Sequence, residues 1–167
     1  AIAVDLLTAA GYEVHAITGK VDRFDWLERL GARQCISRHD LHWGRRPLER
    51  ASWAGCIDNV GGDMLAGISR SINLWGNVAC CGMAGDHGLH TTVFPMILRG
   101  VSLLGISSAN CPIELRRKLW ARLGGEWKPP QLQEIIRNEV ALDEMSPVFK
   151  QMLEGCSLGR TMVRIGE

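Results

Sequence analysis

The sequence lacks most of the features that would assign its 167 residues to a specialised class. It has no apolar run near the roughly 20 residues that span a bilayer. The longest runs, such as VSLLGI at 101–106, have the length of a strand, and no secretory leader pattern opens the chain. A soluble cytoplasmic protein is expected. An excess of one charge is also missing, with 19 Lys and Arg against 18 Asp and Glu and a formal net charge of +1. No global field therefore draws the chain to nucleic acid or to an anionic membrane. The six cysteines, at 35, 56, 80, 81, 111 and 156, form no CxxC, and the five histidines lack ligand spacing. Neither a zinc site nor a disulfide framework is expected, and the thiols read as small buried hydrophobes of a reducing compartment. Internal repeats and low-complexity tracts are missing too.

What the sequence does have is an ordinary globular composition, 46% hydrophobic and 22% charged, and an alternation of helical and strand patterns. Residues 1–10 carry Ile2, Leu6 and Leu7 on one side and stop at Gly11, before a strand at 12–18. Phe24, Leu27 and Leu30 recur at helical spacing up to Gly31 and precede the short strand RQCIS at 33–37. A polar segment follows, then a strand leaving through a glycine turn (54–62), a helix (63–72), an apolar strand (76–82), a short helix or turn broken by Pro95, and the strand at 101–107. Such alternation argues for a parallel sheet covered by helices on both faces. Past Ser108 the pattern predicts a charged helix opened by Pro112 with a packing face of Leu115, Leu119 and Leu123. A loop-like GEWKPPQL, a helix near 146–155 and an alternating strand at 160–165 complete the chain.

The first strand ends in Thr18, Gly19 and Lys20. In open α/β sheets ligands sit at the strands' carboxyl ends, where an acidic residue suits the ribose of NAD and a basic one suits a 2′-phosphate. The residues alone also fit a solvated turn.

Taken in order, LLTAAGYEVHAITGK, WLERLGA, WAGCIDNVGG, GNVACCGMAG, TTVFPMILRGVSLLGISS and GRTMVRI resemble the cofactor-binding half of a medium-chain dehydrogenase/reductase. The branch is the zinc-independent acrylyl-CoA reductase and NADPH:quinone oxidoreductase family. The resemblance covers almost the whole chain. It implies a Rossmann-type doubly wound parallel sheet lacking its first strand and glycine-rich loop, with a partial NADPH-binding domain at 1–125. A carboxyl-terminal helix and strand at 126–167 would pack, in the family, on an absent GroES-like catalytic domain. Because the first strand is central in the order 3-2-1-4-5-6, its absence separates strands two and three from four, five and six. It also exposes two interior edges, so a chain of poor stability is expected. The closing strand is expected to lack its usual neighbours, with a swap into the vacant centre as a minor alternative.

The same resemblance implies the site. Thr18, Gly19 and Lys20 would hold the 2′-phosphate of NADPH with help from Arg38, although Arg38 also fits an ordinary surface cation. Asn59, Val60 and Gly61 would lie at the adenine and ribose edge. Gly82, Met83 and Ala84 would approach the nicotinamide ribose, with Phe94, Ile106 and Ser107 bordering the nicotinamide, and Arg160 would reach the cofactor or a CoA phosphate. No catalytic side chain is identified: His87, His90, Asp58 and Asp86 have no spacing that makes an acid/base set. The implied activity is hydride transfer from NADPH to an activated alkene, acrylyl-CoA or another enoyl-CoA, or to a quinone, with the chain inactive alone. The implied assembly is a homodimer through the 101–107 strand edge. A non-catalytic nucleotide-binding module and a dimerisation fragment are the rival readings.

Overall fold

The computed structural model describes residues 1–166. Helix α1 (Ile2–Ala9) is followed by β1 (Val14–Thr18), α2 (Phe24–Arg29), β2 (Ala32–Ser37), β3 (Trp53–Asp58), α3 (Gly62–Ser69), β4 (Ile72–Cys80), α4 (Phe94–Arg99) and β5 (Ser102–Gly105). The remainder forms α5 (Ile113–Gly124), α6 (Leu132–Ile135), β6 (Ile136–Ala141), α7 (Met145–Leu153) and β7 (Arg160–Arg164). Among the described residues the strand pairings are all parallel and fall into three sheets, β1-β2, β3-β4-β5 and β6-β7. The separation of β1-β2 from β3-β4-β5 follows the division expected for a Rossmann sheet without its central strand. The chain forms two compact units, Leu41–Arg116 and Ala1–Asp40 with the described part of Arg117–Glu167.

In the unit holding the chain's start, Val4 of α1, Val14 and Ala16 of β1, Trp26 and Leu27 of α2, Leu30, Ala32 and Ile135 form one apolar cluster. The α2–β2 turn is possible because Gly31, at φ +102°, carries no side chain. A Cβ there would lie 2.5 Å from the Thr8 methyl, while the Thr8 hydroxyl donates to the Gly31 carbonyl at 2.9 Å. Long-range bonds tie the late segment into this unit. Buried Asp5 accepts from the Gln131 N–H at 2.9 Å, and the Trp26 indole donates to the Glu134 carbonyl at 3.3 Å.

The other unit is built on Leu65, Ile68, Ile72, Val78 and Val101, with Trp53, Cys56, Cys80 and Leu103 packed against them. Arg99, at the end of α4, donates to the carbonyls of Arg70 (2.9 Å) and Ile72 (3.1 Å) and so places the end of α4 beside the start of β4. The opposite end of α4, with Phe94, accordingly lies toward the carboxyl ends of the strands. Between Trp53↔Ile72 and Gly55↔Asn77 the register shifts, leaving residues 73–75 exposed with Trp75 at φ +61°.

Two expectations are corrected. The closing strand does not enter a vacant centre, since β7 pairs with β6 from Ile136↔Arg160 to Ala141↔Arg164. The strand β6 escapes a periodicity reading because Arg137, Asn138 and Glu139 interrupt its apolar positions. The stripe Leu115, Leu119 and Leu123 of α5 is not a packed face either, because no residue of α5 is buried. Amphipathic spacing marks a face able to pack, and burial depends on a surface to receive it.

Candidate functional site

In the first unit the carboxyl ends of β1 and β2 lie side by side, with Thr18 opposite Ser37. The backbone closes the pair, as the Arg38 N–H donates to the Thr18 carbonyl at 3.0 Å. Thr18 Oγ1 accepts from the Lys20 N–H at 3.1 Å, which leaves its hydroxyl proton able to donate outward. Arg38 lies across Gly19, in the turn that leads to Lys20. A Cβ there would stand 2.7 Å from the Arg38 guanidinium Nε, so a larger residue would push the Arg38 side chain aside. Lys20 itself donates from Nζ to the Ser157 carbonyl on the loop before β7. Sequence reasoning missed Ser157, because an acceptor 137 residues away leaves no local signal. Arg160 begins β7 and donates to the Gly159 carbonyl at 3.0 Å.

In the second unit the strand ends carry two interlocked turns. Asp58 is buried at the end of β3, and its Oδ2 accepts from the Gly61 N–H at 2.9 Å, folding Asn59 and Val60 into a tight turn. The turn after β4 is laced to it, with Ala84 N–H donating to Asn59 (3.1 Å), Gly85 N–H to Val60 (2.8 Å) and Cys81 N–H to Asp58 (2.8 Å). Glycine is needed here for protein backbone as well as for any ligand. A Cβ on Gly82 would lie 2.9 Å from the Asn59 carbonyl oxygen, and one on Gly61, at φ +74°, only 2.2 Å from that of Asp86. Met83 and Ala84 are left exposed on the outer side. Ile106 extends the third strand by donating to Cys80 at 3.0 Å, and Ser107 Oγ accepts from the Asn110 amide at 3.5 Å. Asn59, Val60, Gly61, Gly82, Met83, Ala84, Ile106 and Ser107 therefore share the carboxyl end of one parallel sheet, with half-exposed Phe94 opening α4 toward it.

The polar groups that tempt an acid/base reading are engaged in shaping these turns. Backbone N–H groups of Gly88 and then His87 hold the Asp86 carboxyl below its ordinary range, and the His87 contact measures 2.7 Å. The Cys56 thiol is pushed up to about 12, by burial first and then by the Asp58 charge, and Cys80 is raised for the same reasons. Among the described residues, no group of three or more His, Cys, Asp or Glu side chains is arranged to hold a metal ion.

Comparison with known proteins agrees with this geometry. The chain is 38% identical over 165 residues to the acrylyl-CoA reductase AcuI of Ruegeria pomeroyi, covering 98% of this chain and 50% of that protein. It superimposes on the crystal structure of the Bacillus subtilis protein YhfP with NAD bound (TM-score 0.93, 41% identity, 98% of this chain and 50% of that one). It also superimposes on the Escherichia coli K-12 YhdH structure with bound NADPH (TM-score 0.90, 37% identity, the same coverage). The chain thus spans about half the length of the relatives it matches. With the zinc-binding dehydrogenase family model matching residues 1–123 across both sets of strand ends, the chain belongs to that family.

Proposed function

We propose that this chain is the NADPH-binding portion of a cytoplasmic oxidoreductase that passes hydride to the β-carbon of an activated alkene, acrylyl-CoA or a related enoyl-CoA, or to a quinone. The observation that carries the reading is the placement of Arg38 against Gly19, between Thr18 and Lys20 at the carboxyl end of β1. Thr18, Lys20 and Arg38 offer a hydroxyl donor and two cations at the strand end where a 2′-phosphate would sit, and no carboxylate occupies positions 18–20. The nucleotide fits the residues present. Thr18, Lys20 and Arg38 would hold the 2′-phosphate. Asn59, Val60 and Gly61 would border the adenine ribose, Gly82, Met83 and Ala84 the nicotinamide ribose, and Phe94, Ile106 and Ser107 the ring. When bound, the nicotinamide supplies the hydride, while the protein orients it and keeps water from it. Arg160, at the start of β7, would add positive charge toward the cofactor or a CoA phosphate. Residues 1–125 form the nucleotide portion in this reading, and 126–167 meet the catalytic domain that completes the active cleft. Six cysteines without a disulfide suit a reducing compartment.

A titration of the purified chain with NADPH and with NADH, followed by tryptophan fluorescence, tests the proposal. A lost charge-assisted contact is worth about 1.5–3 kcal/mol, so NADPH should bind roughly 10- to 100-fold more tightly than NADH, and Lys20→Glu should abolish the difference. Equal affinities in the unaltered chain would refute the reading.

A second reading, a dimerisation fragment, draws on β5, which among the described residues pairs only with β4 and leaves Leu104 and Ile106 exposed. We propose that this edge joins two copies in one continuous sheet. Dimers without nucleotide affinity would favour the fragment over the enzyme. NADPH binding without turnover, even with a catalytic domain supplied, would favour a binding module.

A further inference from the structure

We infer that the loop between α7 and β7 is a positioning element for nucleotide selection: the Ser157 carbonyl holds the Lys20 ammonium in place for a 2′-phosphate before any nucleotide arrives. The inference rests on the NADPH reading and deepens it by giving residues 155–159 a role at that site.

Lysine is a compact charge on a flexible four-carbon stem, so a free Lys20 would sample many positions and lose that freedom on binding an anion. Its bond to Ser157 removes the freedom in advance. The acceptor matters as much as the contact. A carboxylate in that place would cancel the charge and repel a phosphate, whereas a neutral carbonyl orients the ammonium and takes one of its three N–H groups, leaving two. The carbonyl is itself held from both sides. Leu158 packs against the core that contains Leu30 and Ile135. Gly159, at φ +67°, is pressed so close to the Ile135 carbonyl that a Cβ would fall 2.3 Å from its oxygen. On the other side α7 ends in a hydrogen-bonded turn, with Gly155 N–H donating to Met152 at 3.1 Å and Cys156 N–H to Gln151 at 2.9 Å. A phosphate at Gly19 would thus meet Arg38 carried by the end of β2 and Lys20 steadied by the α7–β7 loop. Only a nucleotide with the extra phosphate would sense that loop.

The test compares the unaltered chain with Lys20→Ala, Gly155→Pro and Leu158→Ala. Gly155 has open space around it, but proline cannot adopt φ +69° or donate to Met152, so this change redirects the turn without touching the core. Each chain is titrated with NADPH and NADH, and circular dichroism checks that it folds. The rate of reductive methylation at Lys20 against Lys118, Lys128 and Lys150 is read by mass spectrometry without nucleotide. We expect both loop variants to weaken NADPH binding about five- to twentyfold, less than loss of the whole charge-assisted contact because Lys20 itself remains, with NADH unchanged. Lys20 should be methylated slowly in the unaltered chain and faster in both loop variants. If Lys20→Ala loses the NADPH preference while the loop variants keep it, or if Lys20 methylation does not change, the inference falls and the NADPH reading stands. Equal weakening of NADH would mark a loss of general structure and also overturn it. If Lys20→Ala keeps the preference, the assignment of Lys20 to the phosphate falls together with the inference.

Discussion

Individual side chains here are constrained by backbone more often than by one another. Gly61 illustrates this, because its φ of +74° and the carbonyl of Asp86 leave no room for a methyl group. Gly61→Ala should destabilise the chain by about 1–3 kcal/mol in urea unfolding and loosen both turns of the second unit, since a strained φ and a close backbone contact coincide. Cys56 offers a pH test. Its thiol titrates at about 12 in the folded chain against an ordinary 9.0, so the folded state holds the proton more tightly. The associated stability is intact below pH 9 and is lost as pH rises from 9 toward 12. Relative to Cys56→Ala, the unaltered chain should lose up to about 1.4 kcal/mol of stability per pH unit over that interval. Urea midpoints at pH 8, 9.5 and 10.5 would show the divergence, and parallel curves would refute the burial of that thiol. Much of the candidate site was legible at this scale. Thr18, Gly19 and Lys20 are contiguous and close a strand, so a local pattern exposes them. Ser157 was not legible, because only folding brings its carbonyl to Lys20.

At the level of elements, helix and strand patterns translated well wherever one face is buried. Leu27 and Leu30 recur at helical spacing because α2 and the residue after it press on β1 and β2. Leu30, fully buried, should cost about 2–5 kcal/mol when changed to Ala, measured by urea unfolding, whereas Leu115→Ala on exposed α5 should cost little in this chain. The strand β6 defeated the same reasoning. Three polar residues in succession hide its period, and its assignment rests on a ladder with β7, 24 residues further on at the first pair. Edge character also belongs to this scale. Leu104→Lys on β5 should convert the proposed dimers to monomers in sedimentation equilibrium, because the residue is exposed on a strand whose second edge has no partner strand among the described residues.

The whole molecule raises the question of completeness of the sheet. Among the described residues β1 pairs only with β2 and β3 only with β4, so each unit presents a strand edge that a Rossmann sheet would pair internally. The purified chain should therefore scatter light and bind a hydrophobic dye more than a full-length relative at equal concentration. Co-expression with the unmatched half of the B. subtilis relative should raise its soluble yield. A chain that stays clear at high concentration by itself would contradict this. No helix among the described residues is long and apolar enough to cross a membrane. The sequence by itself determined the alternation of helices and strands, the positions of the turns and the cationic end of β1. Those features depend on local periodicity, glycine conformation and charge, which neighbouring residues carry without help. The tertiary structure alone decided that β7 finds β6, that α5 keeps its leucine stripe uncovered and that Lys20 is held by Ser157. Each of these depends on which surfaces meet across long stretches of chain, and no local pattern encodes that.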